Sequence, residues 1–121
     1  MPGGRKVTFV LVAVLAGLSA PLPARASAAV TIQRSRFTPR DVTVPAGETV
    51  VWTNNDGVGH SVTADDGSFD SHPGCGGVTG GCMNRGETFS TTFTRPGRVT
   101  YYCRTHGGPG RGMVGSVTVT G

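Results

Sequence analysis

The sequence predicts an all-β sandwich, and three observations carry that expectation. From position 29 onward the chain has no Leu, no Lys, three Ala and two Glu, against 12 Val and 15 Thr. Strong helix formers are nearly absent, while the β-branched residues that pack well on a pleated surface abound. The apolar residues also fall in short runs of period two, as in Val117-Thr118-Val119-Thr120, the repeat of a strand with one buried face. Finally, turn residues separate these runs, and 17 Gly beyond position 28 imply long, sharply turned loops.

Positions 1–28 read as an export signal that precedes a single domain at 29–121. Arg5 and Lys6 open an apolar stretch at 7–20, which ends at Pro21, Pro23 and the small residues Ala26-Ser27-Ala28. A membrane span needs about 20 apolar residues, so this stretch is too short to anchor the chain and no stable membrane insertion of the mature domain is expected. Cleavage after Ala28 fits best, and cleavage after Ala26 is the close alternative. No Cys lies near either point for acylation, and Arg5-Lys6 is not a twin arginine, so the general secretory route is expected. Export places the domain in a periplasm, at a cell wall or outside the cell. Of the formal charge of +4, three positive charges belong to Arg5, Lys6 and Arg25. The domain itself carries eight scattered Arg against seven acids, which gives no support to a nucleic-acid or anionic-membrane partner.

Within the domain, Val30-Thr31-Ile32-Gln33 alternates as a first strand, and Phe37 follows a short irregular stretch as an apolar plug. Asp41-Val42-Thr43-Val44 and Thr49-Val50-Val51-Trp52-Thr53 are two strands joined by a turn at Pro45-Ala46-Gly47. Asn54-Asn55-Asp56-Gly57 is a dense turn signal, and His60-Ser61-Val62-Thr63-Ala64 reads as the next strand. Positions 65–86 show no sustained period and form a long surface loop. Strands at 88–93 and 98–103 flank the turn Arg95-Pro96-Gly97, a loop covers 104–112, and a last strand runs over 114–120. About seven short strands describe two packed sheets.

Three cysteines in an exported chain leave one unpaired after any disulfide forms. Cys75 and Cys82 share the long loop, and closing that ring would stabilise by about 2.5 kcal/mol in the chain-entropy model. Cys103 is then left over, at a strand end, three residues before His106 and ten before Met113. A soft thiolate, borderline imidazoles and a weak thioether form the donor set that suits copper, with a trigonal Cys and two His and a long axial Met. The second imidazole is assigned to His60, because a strand end positions a ligand better than a loop does. His72 is expected to be a solvated loop residue. Without the disulfide, His72, Cys75, Cys82 and Met83 could instead form a second soft site.

The segments Val44-Pro45-Ala46-Gly47, Val51-Trp52-Thr53-Asn54, His60-Ser61-Val62 and Tyr101-Tyr102-Cys103, with His106 and Met113, resemble the cupredoxins, small blue copper proteins of the plastocyanin, pseudoazurin and halocyanin type. The resemblance spans about 30–120. It implies a Greek-key sandwich of seven to eight strands, one type 1 copper held by His60, Cys103 and His106 with Met113 axial, and a monomer. It also implies a single-electron carrier whose redox partner proteins dock near His106. Two departures stand out. The Cys-x2-His-x6-Met loop is two residues longer after the His than the common plastocyanin spacing. Ser61 stands where many relatives carry an Asn that braces the cysteine loop, and its shorter side chain is expected to brace less well.

Competing classes are weighed by their donor requirements. An enzyme is not expected, because four ligands close the metal site to substrate and the sequence offers neither a second His cluster nor a Ser-His-Asp set. A copper-delivery or buffering protein is the stronger rival, since the same side chains suit copper(I). A zinc module would accept Cys and His but would carry no redox chemistry.

Overall fold

The computed structural model describes residues 27–78 and 80–121, together with Gly3, Gly4, Thr8, Val10 and Gly17, so the expected export signal lies largely outside the described residues. Eight strands follow in chain order: β1 (Ala28–Gln33), β2 (Arg36–Thr38), β3 (Asp41–Pro45), β4 (Glu48–Asn54), β5 (Thr63–Ala64), β6 (Thr88–Phe93), β7 (Gly97–Gly108) and β8 (Arg111–Thr120). They form two four-stranded sheets, in the orders β2-β1-β4-β6 and β3-β8-β7-β5. The β1–β4 and β3–β8 pairs are parallel and the others antiparallel. No helix occurs among the described residues, and the all-β sandwich expected from composition is the observed architecture.

Alternation places the core. On β4, Val50, Trp52 and Asn54 are buried while the residues between them are partly exposed, and on β8 Val117 and Val119 point inward. Trp52 lies at the centre, with Phe69, Phe89, Phe93 and Tyr101 at ring-centroid distances of 5.9, 5.8, 6.4 and 5.4 Å. The Tyr101 ring meets Phe37 edge-on at 4.7 Å, which is how the apolar plug closes the sandwich. Burial pushes the Tyr101 phenol up to about 12.

Three elements differ from the expectation. Phe37, expected as a plug after an irregular stretch, belongs to a strand of its own, β2, and the stretch before it is a hairpin turn at Arg34 and Ser35 that pairs β2 with β1. Both turn residues adopt positive φ, 53° and 52°, as a type I′ turn requires, although neither is a residue that favours it. The strand expected at 60–64 shrinks to Thr63–Ala64, because 60–62 bond to the long loop instead: Val62 N–H donates to Ser71 Oγ at 2.8 Å and its carbonyl accepts from Ser71 N–H at 2.9 Å. The expected loop at 104–112 is a hairpin, with β7 running to Gly108 and β8 starting at Arg111 across the turn Pro109-Gly110. Gly110 has φ 72°, which suits the second position of a type II turn after proline.

Gly115 on β8 sits under the Tyr101 ring, and a Cβ there would lie 2.5 Å from the phenol oxygen and 2.7 Å from the Arg40 carbonyl. The close approach of backbone to ring therefore requires glycine. Gly115→Ala is expected to cost about 1–3 kcal/mol through overpacking, read as a lower denaturation midpoint. An unchanged midpoint would mean that the β7–β8 pair gives way at that point without strain.

Candidate metal centre

Between the pairs Tyr102↔Val114 and Gly107↔Gly112 the β7–β8 register breaks. Four residues, Cys103 to His106, thus oppose the single residue Met113, and the bulge turns them out of the regular ladder. Glycine makes this possible. A Cβ at Gly107 would lie 2.4 Å from the Arg111 carbonyl, and Gly112, at φ 74°, would carry one 2.5 Å from the His106 carbonyl. The longer loop after His106 is therefore taken up as a tight hairpin, and Met113 stays buried opposite the bulge.

His60 reaches the same point from another segment. Although outside a regular strand, its N–H donates to the Met83 carbonyl at 3.2 Å and its carbonyl accepts from Met83 N–H at 2.8 Å. The preceding turn is equally fixed: the Asn54 amide donates to the Val58 and Met83 carbonyls at 3.0 and 2.8 Å, and Asp56 N–H donates to Asn54 Oδ1 at 2.9 Å. Gly59 passes so close to Cys82 that a Cβ would lie 2.7 Å from the Cys82 Cβ.

The result brings three donors together. Cys103 Sγ lies 3.6 Å from His60 Nδ1 and 3.4 Å from His106 Nδ1, and all three ligand atoms fall within 4.8 Å of one another. An ion about 2.0–2.1 Å from nitrogen and about 2.3 Å from sulfur, at open angles, needs donor separations of this size. His60 and Cys103 are fully buried while His106 is exposed, so the cluster has an inner wall and an outer edge. Burial, with a further contribution from His60, lowers the His106 pKa from its ordinary value, which favours the neutral ring a metal requires.

The surrounding groups fix the donors. Asp56 Oδ2 lies 2.7 Å from His60 Nε2, so that nitrogen carries the proton and Nδ1 presents its lone pair to the cluster. The same carboxylate accepts the N–H groups of Arg34 and Ser35 at 2.6 and 2.8 Å, which ties the β1–β2 turn to the site. Burial opposes ionisation of Asp56, but these two amides and His60 together hold its pKa below the usual carboxylate value. Ser61 N–H points at Cys103 Sγ at 3.4 Å, and Ser61 Oγ accepts Arg104 N–H at 2.9 Å. The short side chain thus ties its own segment to the cysteine loop. It also bonds Thr63 Oγ1 at 2.9 Å, which donates to Asp70 at 3.1 Å, and Asp70 in turn pairs with the Arg104 guanidinium.

His72 lies outside the cluster. It is half-buried rather than solvated, with Nε2 3.6 Å from Glu87 Oε2. Cys75 and Cys82 form a disulfide, which removes both thiolates from the alternative soft site and leaves Cys103 as the free cysteine. Sequence reasoning missed Asp56 and Thr105. The sequence marks Asp56 only as a turn residue, and its place four residues before His60 is the available signal. The Thr105 hydroxyl lies 3.2 Å from Sγ and 2.9 Å from His106 Nδ1, and nothing in the sequence marked it.

A Greek-key-like sandwich with a buried cysteine and two imidazoles at one end defines a mononuclear soft-metal protein. Residues 24–120 match the model of the family described as copper binding proteins, plastocyanin/azurin family, and the chain belongs to that family. Copper is the family's metal, and His60, Cys103 and His106 form the candidate site for it. A chloroplastic plastocyanin of Oryza sativa subsp. indica is 41% identical over 90 residues, covering 69% of this chain and 54% of its own length. A chloroplastic plastocyanin of Chlamydomonas reinhardtii is 32% identical over 126 residues, covering 95% of this chain and 82% of its own length. The chain thus spans about half the length of the first of these relatives. Among solved structures, a reduced amicyanin mutant is similar with a TM-score of 0.58 and 28% identity, over 80% of this chain and 85% of that one.

Asp56→Asn is expected to lower copper affinity about 10–100-fold, because the His60 ring loses its orienting carboxylate. Competition with a chromogenic chelator measures it, and an affinity equal to that of the parent would remove Asp56 from this role.

Proposed function

We propose that residues 29–121, released from an export signal at 1–28, form a blue copper protein that carries single electrons between redox partners in a periplasm or outside the cell. In this reading His60, Cys103 and His106 hold one copper ion and Met113 supplies the weak axial thioether. The carrying observation is the fixed convergence of Cys103 Sγ with two imidazole Nδ1 atoms at 3.4 and 3.6 Å, each on backbone tied by hydrogen bonds. Bound copper supplies a one-electron couple between copper(II) and copper(I).

These residues do the rest. Copper(I) and copper(II) favour different geometries, and donors that cannot move hold the site between those preferences, so little reorganisation accompanies the electron. The Ser61 N–H and the Thr105 hydroxyl lie close enough to Cys103 Sγ to donate to it, and such bonds tune the potential by drawing charge from the sulfur. The exposed His106 ring offers the outlet to a partner. A delivery role would be served by a loosely held or second soft site. The Cys75–Cys82 disulfide withholds the thiolates such a site would use, which favours the carrier.

Two substitutions test the ligand set. Cys103→Ser is expected to abolish the intense sulfur-to-copper absorption of the oxidised protein, and a retained band would assign the thiolate elsewhere. Met113→Leu should keep copper and raise the potential, by about 59 mV for each tenfold loss of copper(II) affinity relative to copper(I). A potential unmoved in voltammetry would point to another axial donor. Slow self-exchange with ready release of copper to a chelator would overturn the carrier reading itself.

A further inference from the structure

Beside His106, an open groove of about 950 Å³ runs between the β1–β2 hairpin and the β7–β8 hairpin, lined among others by Arg36, Arg40, Arg111 and Met113. Among the described residues no acid lines it. All three arginines are exposed, and none forms a salt bridge among the described residues. Asp41, next to Arg40 in the chain, accepts from Ser116 Oγ at 2.7 Å, and Asp56 holds His60 and the amides of Arg34 and Ser35. The Arg111 guanidinium lies across the hairpin over Gly108, its Nε 3.0 Å from where a Cβ on that glycine would stand.

The distribution of charge decides what this surface attracts. The domain has eight Arg and seven acids, so with three Arg in the groove the remaining five face seven acids. The groove thus carries three positive charges and the rest of the domain a net two negative ones. Such a local excess of positive charge draws a negatively charged surface to the rim beside His106, and steering of this kind raises association rates by about 10–1,000-fold at low salt.

We propose that the arginine-lined groove beside His106 is the docking surface for a redox protein with an acidic face. This rests on the electron-carrier reading and adds the charge of the partner. The test reduces the oxidised copper protein with hexacyanoferrate(II), an anion, and with hexaammineruthenium(II), a cation. Each reagent gives one electron and is oxidised by one unit as copper(II) becomes copper(I). At about 0.01 M ionic strength the anion should react with a strong rate enhancement that disappears towards about 1 M, where the Debye length falls from about 30 to about 3 Å. The cation should show the opposite salt dependence. Joint substitution Arg36→Gln, Arg40→Gln and Arg111→Gln should cost the anion about tenfold at low salt, with the copper spectrum unchanged, whereas Arg95→Gln with Arg98→Gln at the other end of β7 should cost little. If the triple variant loses the spectrum, the single variants Arg36→Gln and Arg111→Gln carry the same comparison.

Poly-glutamate is the probe for a protein partner. It should slow the hexacyanoferrate reaction at low salt and shift the backbone amides of Arg36, Arg40 and Arg111. Inhibition by tripolyphosphate but not by poly-glutamate would make the groove a small-anion site and overturn the docking proposal. Equal salt dependence for anion and cation, or an unaffected triple variant, would also overturn it while leaving the carrier intact. Failure of both reagents to reduce the copper would instead sink the carrier reading.

Discussion

Everything in this molecule is subordinate to holding one sulfur and two imidazole nitrogens within 3.6 Å of the sulfur on chain segments 43 residues apart. Lone pairs aimed at one point repel, and burying His60 and Cys103 removes the water that would otherwise compensate them. The arrangement persists only where the backbone on both sides is over-determined. On one side the β7–β8 bulge sets Cys103 and His106 opposite Met113, and on the other the Met83 bridge, the Asn54 amide and Asp56 fix His60. Ser61 joins the two sides, pointing its amide at Cys103 and accepting from Arg104.

This explains the role of the long segment between β5 and β6. By composition it is excess surface loop, yet it makes the wall against which His60 rests. Met83 in its last part is fully buried and bonds His60 on both backbone groups. Gly59 touches Cys82, and Gly76 stands where a Cβ would meet the Thr105 methyl at 3.2 Å, so the disulfide loop packs against both ligand-bearing segments. A ring closed between Cys75 and Cys82 lowers the entropy of the unfolded loop, a contribution of about 2.5 kcal/mol in the chain-entropy model, to a stretch with few apolar residues. Stability and site stiffness here come from the same bonds.

The sequence carried the strands and the candidate donors because both rest on local pattern. Alternation around Trp52 and Val117 reports a half-buried sheet directly, and Cys103 with His106 and Met113 is a donor set whose chemistry is legible from residue type. What stayed hidden is set by long-range contact. Arg34 and Ser35 give no turn signal, and their left-handed conformation makes sense only once the Asp56 carboxylate is seen to collect both amides. The stretch 60–62 alternates like a strand, but its backbone partners lie in a loop whose own sequence has no period. The hairpin at 107–112 was invisible because glycine has no side chain through which to show a face. Its strand identity follows from pairing alone.

That glycine hairpin also separates two demands that would otherwise conflict. A rigid copper site needs donors sealed from water, while a partner needs a short path to them. One strand meets both conditions: on β7, Cys103 faces inward to the core and His106, three residues later, reaches the surface. The tight turn at Pro109-Gly110 then brings Arg111 back across Gly108 to the same rim. The glycines of this rim leave the His106 edge uncovered, so an approaching surface meets the ring directly with the arginine charges beside it. The long Cys-x2-His-x6-Met spacing is in this sense one structural device. It gives a hairpin that carries an arginine to the rim beside His106 while Met113 keeps its place opposite the bulge.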